Sequence, residues 1–304
     1  MRIICRILIG TVIVIVALAA LVAGVIVIDG LISRSQLDAA TNTRIPNSGG
    51  GPDIRAYVAR PSIPGPHPAA IMIHEFWGMN SEIAGKAQAL AEEGYVVIAP
   101  DLFRGSTANW VPRAIYQVVS NPQEQLLADL DAVFAWLSSQ PDVKPDRVAI
   151  MGFCFGGRTS LRYSLSNNKL AGTIVLYGSP VTDPNQLKSL SGPVLGIFGG
   201  ADNSIPISEV KAFEAALNEA GVPNKISIYE NQPHAFVKSI EEIRQGGVQG
   251  QAWGEVLAFL KETLQEDSSL RRNVAPTFAS DTMDWGYWLM VAYEHTFGAE
   301  RHRH

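Results

Sequence analysis

Cys154, Asp202 and His234 are residue types that, in this order along the chain, can carry nucleophilic acyl chemistry. Cys154 lies in Gly152-Phe153-Cys154-Phe155-Gly156-Gly157, directly after an apolar run. A thiol can serve as a small buried hydrophobe, a metal ligand, half of a disulfide or a nucleophile. The chain has 2 cysteines, Cys5 and Cys154, in contexts so different that neither a disulfide framework nor a zinc cluster fits, and Cys154 is expected to be a free thiol. A nucleophile needs a base, and the base needs an acid to orient it. Of the 6 histidines, His67 sits in a proline-rich turn and His295, His302 and His304 sit near the C-terminus, leaving His74 and His234. His234, in Asn231-Gln232-Pro233-His234-Ala235-Phe236, follows one short apolar run, and Asp202, in Gly199-Gly200-Ala201-Asp202, follows another. An aspartate in a glycine-rich turn is ordinarily only a turn residue; the order and the placement of all three residues point to chemistry.

Such residues must be held by elements, and the pattern of the chain supplies them. Short apolar, β-branched runs (Ala69–Ile73, Tyr95–Ala99, Arg147–Gly152, Thr173–Tyr177, Val194–Phe198, Lys225–Tyr229) alternate with segments of helical period. In Gln123–Gln140 the residues Leu126, Leu127, Leu130, Val133, Phe134 and Leu137 form one stripe, with Asp129 and Asp131 read as lying off it. Ser208–Ala220 and Val248–Leu264 behave alike. Strands this apolar, separated by helices, imply an α/β fold with a mostly parallel sheet covered on both faces, in one domain over residues 46–266. Cys154 then stands between the strand Arg147–Met151 and a helix over Gly157–Ser166. The flanking glycines leave room for a tight turn, and the N-terminus of the helix favours negative charge at the sulfur. All three residues follow the carboxyl ends of strands, where ligands collect on such sheets.

Strand, Gly-x-Cys-x-Gly turn and helix, with the order nucleophile, acid, histidine, resemble the α/β-hydrolase fold with cysteine in place of serine. More specifically, the chain resembles the dienelactone hydrolase family. The resemblance rests on His74-Glu75-Phe76-Trp77-Gly78-Met79-Asn80, on Glu92-Glu93-Gly94-Tyr95-Val96-Val97-Ile98-Ala99-Pro100-Asp101-Leu102-Phe103, and on the segments around Cys154, Asp202 and His234. It spans residues 46–264. It implies hydrolysis of a small carboxylic ester or lactone through a thioester on Cys154, with no cofactor and no metal. It also implies that Glu75 helps form the thiolate and that the backbone N–H groups of Phe76 and Phe155 form an oxyanion hole. Phe155, as the residue after the nucleophile, is expected there on general grounds too. The family's substrate-carboxylate site would map onto Lys238, four residues after the histidine, with Arg104, Arg113 and Tyr116 as further candidates. Apart from the resemblance, His74-Glu75 reads equally as a metal pair, but no third ligand accompanies it.

The remaining features concern location. Net charge is −5 and no Lys/Arg-rich block lies outside the short C-terminal end, so nucleic acid is excluded as a partner. From Ile7 to Ile28 no residue is charged; as a helix this run spans about 33 Å, enough for the hydrocarbon core of a bilayer. Residues 1–32 are therefore expected to be a transmembrane signal anchor, the competing reading being a cleaved signal peptide with Leu21-Val22-Ala23 as processing site. Arg2 and Arg6 before the run place the N-terminus in the cytoplasm and the domain outside it. Residues 33–45 read as a flexible linker, and the glycines of Asn47-Ser48-Gly49-Gly50-Gly51-Pro52 as tether rather than phosphate cradle. Residues 267–304 form a tail whose aromatic stretch, Asp284–Tyr293, suits either a membrane interface or docking onto the domain or a partner. A hydrolase-like accessory subunit of a membrane complex is the alternative to an enzyme.

Overall fold

In the computed structural model, residues 2–47, 51–265, 271–277 and 283–297 are described. The middle of the glycine tether, 48–50, and the terminal His302-Arg303-His304 lie outside them. The chain runs α1 (Arg2–Ala40), β1 (Thr43–Ile45), β2 (Ile54–Ala59), β3 (His67–Ile73), α2 (Ser81–Glu92), β4 (Val96–Pro100), α3 (Val111–Ser120), α4 (Gln123–Ser138), β5 (Val143–Phe153), α5 (Phe155–Ser166), β6 (Gly172–Leu176), α6 (Pro184–Leu187), β7 (Val194–Gly199), α7 (Ile207–Glu219), β8 (Asn224–Tyr229), α8 (Ile240–Gln245), α9 (Gly247–Leu264) and α10 (Trp285–Phe297). The eight-stranded sheet has the order β1-β2-β4-β3-β5-β6-β7-β8. β1 and β2 pair antiparallel and the rest of the sheet is parallel from β4 to β8. All residues of β4, β6 and β7 are buried, as expected of strands covered on both faces. Each strand inferred from the sequence is present; β1 and β2 were not signalled, because β1 is only three residues long and β2 is short with alternating burial.

Residues 33–45 are not a flexible linker. α1 continues to Ala40, since Ser33, Leu37 and Ala40 recur at helical spacing on one buried side, and β1 then joins the sheet. The lower part of α1 is bonded to the loop before α3. Buried Asp29 accepts from the backbone N–H groups of Asn109 (3.0 Å) and Trp110 (2.9 Å), placing a negative charge at the N-terminus of α3. Ser33 Oγ donates to Thr107 O (2.7 Å) while Thr107 Oγ1 donates to Ser33 O (2.9 Å). The upper part, over which the apolar run lies, is exposed apart from the half-buried Gly24, Val25 and Ile26, and α1 is the one described helix long and apolar enough to cross a membrane.

Asp129 departs from expectation: it is buried in α4 rather than turned to solvent, because its carboxylate accepts from Arg104 (2.9 and 3.0 Å) and from Asn47 Nδ2 (2.9 Å). The aromatic tail segment forms α10, capped by Asp284 Oδ1 accepting from Tyr287 N–H (3.1 Å), and packs onto the domain beside α3.

Candidate active site

The turn between β5 and α5 gives Cys154 a φ of 53° and ψ of −112°, a region L-residues rarely occupy. The glycine frame around it is a steric necessity. A Cβ on Gly152 would lie 2.3 Å from the carbonyl of Gly156, and one on Gly156 would lie 2.3 Å from Ile73 O and 2.6 Å from His74 O. β5, α5 and the end of β3 therefore meet backbone to backbone, and the thiol is driven out of the turn. α5 begins at Phe155, two residues earlier than the sequence suggested, so Cys154 sits at its N-cap. The first N–H groups of a helix have no intrahelical acceptor, and that of Phe155 is among them. Cys154 is a free thiol and almost fully buried.

His234 and Asp202 come from the loops after β8 and β7 and meet in a buried pair, Nδ1 to Oδ2, at 2.7 Å. The other carboxylate oxygen of Asp202 accepts from the N–H groups of Ser204 (2.8 Å) and Ile205 (3.0 Å), so the acid is fixed before it meets the imidazole. The other ring nitrogen of His234, Nε2, is buried, with the Cys154 sulfur as a further polar group that interacts with this ring. Burial opposes charge on this ring. The negative charge of a Cys154 thiolate and of the Asp202 carboxylate outweighs it, and the pKa of His234 lies well above the usual histidine value.

His74 is a different kind of histidine. Its Nδ1 bonds Glu75 O (2.7 Å) and its Nε2 accepts from Leu102 N–H (3.2 Å), tying the loop after β3 to the loop after β4. Burial lowers its pKa to about 4, so it is neutral at physiological pH. Glu75 shares the enclosure with Lys86, His234 and Tyr177, whose charges and its own act on one another. Desolvation raises the pKa of its carboxyl, against the pull of Lys86 and His234. The buried ring of Phe76 lies in the same loop, whose carbonyl at Phe76 accepts from Gln117 Nε2 of α3 (3.0 Å). Gln117 was not signalled by the sequence; it takes a bond from Ser106 Oγ (2.7 Å), which accepts from Arg113 (2.9 Å).

Of the four residues inferred to hold a substrate carboxylate, two arginines are engaged by protein partners and two residues are exposed. Arg104 is engaged by Asp129. Arg113 donates to Thr107 O (2.7 Å) and to Ile26 O of α1 (2.9 Å), and a Cβ on Gly30 would strike its guanidinium, which is why a glycine faces it. Tyr116 and Lys238 are exposed. Arginine is as apt to fasten backbone carbonyls and buried carboxylates as to bind ligands, and Arg104 and Arg113 do so here.

The surroundings of the thiol that the sequence did not foretell come from α10. Tyr287 Oη lies 3.9 Å from Cys154 Sγ. The Trp288 ring packs 6.5 Å from that of Phe76 and 6.3 Å from that of Phe155. His295 stands edge-on to His234, with centroids 5.8 Å apart, and burial lowers its pKa to about 4. Potential ligand atoms of Asp202, His234 and Glu294 lie within 4.8 Å of one another. The carboxylates already serve other bonds: besides those of Asp202 given above, Glu294 accepts from Asn203 N–H (2.8 Å), Asn203 Nδ2 (2.8 Å) and Ser204 Oγ (2.6 Å).

Comparison with known proteins places these features in context. The profile of the Dienelactone hydrolase family matches residues 54–264. A protein of Escherichia coli strain K12 named "Putative carboxymethylenebutenolidase" is 34% identical over 72% of this chain and 86% of its own. One of the same name from Salmonella typhimurium is 37% identical over 64% of this chain and 76% of its own. The crystal structure of a "Putative Dienelactone Hydrolase" from Klebsiella pneumoniae is 30% identical and superposes with a TM-score of 0.64, covering 72% of this chain and 98% of its own. None of these matches takes in the whole of this chain.

Proposed function

The chain belongs to the dienelactone hydrolase family and is a carboxylic ester or lactone hydrolase, and from that premise we propose that it works through a thioester on Cys154 while held to a membrane by α1. One observation carries the mechanism: a buried His234–Asp202 pair at 2.7 Å, beside a thiol held at a left-handed φ at the N-terminus of α5.

Glu75, whose carboxylate desolvation makes a better proton acceptor than a solvated one, assists in removing the thiol proton. The thiolate attacks the carbonyl carbon, and the carbonyl π electrons move to the oxygen, which the N–H groups of Phe76 and Phe155 receive. Collapse of this intermediate breaks the bond to the leaving oxygen. Imidazolium of His234, favoured by its raised pKa, gives that oxygen its proton. An acyl thioester and an alcohol result; for a lactone both remain on one molecule. Water then loses a proton to His234 and attacks the thioester, and the sulfur departs as thiolate with the acid released. The substrate class is a small ester or lactone. The exposed apolar run of α1 supports anchoring, and Arg2 and Arg6 before it support a cytoplasmic N-terminus with the domain on the other side.

Because α1 and β1 are built into the domain, the test uses the full chain in lipid nanodiscs. Turnover of p-nitrophenyl acetate is measured for the native protein and Cys154→Ala, with mass spectrometry for acyl label on Cys154. Turnover and label that both vanish in the variant are expected. Turnover that persists in a folded Cys154→Ala protein would reject the thioester.

A further inference from the structure

α10 covers the thiol. Its inner face supplies Tyr287, Trp288 and Val291, all buried, while Cys154 itself is 1% exposed. A near-attack substrate places its carbonyl carbon within roughly 3–3.5 Å of the nucleophile. That space holds the Tyr287 hydroxyl, 3.9 Å from the sulfur. On the inner face of α10 the buried Trp288 Nε1 has no hydrogen-bond partner among the described residues. This is the state of a site that is covered but not filled. On the polar side of the cover, Glu294 accepts three bonds from Asn203 and Ser204, the two residues after Asp202.

The outer face of α10 has the opposite character to its latch. Trp285, Leu289 and Met290 are 53%, 67% and 37% exposed. α10 packs beside α3, on which Tyr116, and Trp110 at its N-cap, are exposed, and α3 in turn packs against α1, where Leu31 is 72% exposed. The exposed apolar side chains of α10 and α3 thus belong to elements packed one on the next from the foot of α1, with Trp and Tyr, the residues favoured at a bilayer boundary, among them.

We propose that α10 is a lid on the hydrolase site and that its outer face binds the lipid surface around α1, which draws it off the thiol. The proposal rests on the anchoring and hydrolase readings above. A lipid surface shifts the closed–open equilibrium only by its differential affinity for the two states. In the closed state the hydrophobic inner face is taken up by the domain and the Glu294 latch holds. Lipid rewards opening because the freed inner face, Trp288 included, can enter the interface together with the outer one. Esters and lactones that partition into membranes are the substrates such a lid would admit.

The test uses the full chain in phosphatidylcholine nanodiscs, with native and dibrominated lipid. One readout is fluorescence quenching, taken as the difference between the native protein and Trp285→Phe. The other is the rate at which a bulky maleimide alkylates Cys154, read by peptide mass so that Cys5 is counted separately. Brominated lipid is expected to quench Trp285. Glu294→Ala should speed alkylation on the order of tenfold, the scale of lost hydrogen bonds to a charged group, and Ser204→Ala, which leaves α10 intact, by less. Leu289→Glu should slow it several-fold in nanodiscs. Alkylation indifferent to both latch variants would overturn the lid, and absence of Trp285 quenching would overturn the lipid partner. Gated alkylation without ester turnover would instead reject the hydrolase reading and leave the lid standing.

Discussion

Asp202→Asn tests the proposed acid at the level of single hydrogen bonds. Asp202 serves two sets of donors at once: His234 Nδ1 on one oxygen, and the N–H groups of Ser204 and Ile205 on the other. Asparagine has one acceptor oxygen and one donor nitrogen. With the oxygen toward the backbone, its NH2 faces Nδ1, and the imidazole must put its proton on Nε2, where it cannot act as base. With the oxygen toward His234, the NH2 collides with two N–H donors. Neither orientation satisfies the site. Loss of the orienting acid in serine enzymes lowers kcat by about 10⁴, or roughly 5.5 kcal/mol; a thiol nucleophile depends less on its base, so a loss of about 10²–10³ is expected here. The pH dependence of stability changes as well. Because His234 has a folded pKa above its unfolded value of about 6.5, protonation stabilises the native protein. That contribution is complete below about pH 6.5 and is lost as pH rises through the raised folded pKa. In Asp202→Asn it shrinks, so the stability lost on mutation is greatest at low pH. The assay is kcat for p-nitrophenyl acetate, with thermal denaturation of both proteins from pH 5 to 9. A variant within tenfold of native kcat, with the same Tm difference at both ends of the range, would refute the reasoning.

Three further outcomes follow from contacts elsewhere. Gly156→Ala puts a Cβ against two backbone oxygens that cannot move independently; a loss of about 3 kcal/mol or more is expected, with collapse of activity, read by urea denaturation. Arg104→Ala leaves Asp129 buried with Asn47 as its side-chain partner among the described residues; because Arg104 keeps some contact with water, the cost is about 2 kcal/mol rather than the 3–5 of a fully buried pair. KM should stay unchanged, and a selective rise in KM for carboxylate-bearing esters would restore Arg104 to the substrate site. Gln117→Leu frees the Phe76 carbonyl while keeping bulk; kcat should fall by about tenfold with little change in KM, since a hole that receives developing charge acts in the transition state.

What the sequence made legible follows from which constraints are local. Parallel strands buried on both faces write themselves as unbroken apolar runs, and all six that were read are strands. The turn at Cys154 is written as glycine because side chains there strike backbone. Asp202 and His234 follow strand ends, and the sheet brings them together without further instruction. Charged side chains are another matter. Arg104 and Arg113 are read from sequence only as cations near a loop; their carboxylate and carbonyl partners stand 25 and 87 positions away. Asp129 looks like a solvent residue on α4 because helical period carries no trace of a partner in another segment. Asp29 similarly looks like the polar end of a membrane helix, and is instead the cap on the loop before α3.

α10 joins these observations. Its aromatic content was legible and its place was not, since nothing in Trp285–Tyr293 specifies whether such a stripe meets lipid or protein. The helix has both faces apolar, with Trp288 within and Leu289 without, which an ordinary surface helix has no reason to keep. A face that only sealed the site would leave the other polar. A face that only met lipid would have no use for Glu294 and its three bonds to the acid loop. Two apolar faces and a polar latch are what the proposed lid requires of a helix that changes partners, and α3, touching both α10 and α1 while holding Phe76 through Gln117, is the element through which the proposed lipid contact would reach the active site.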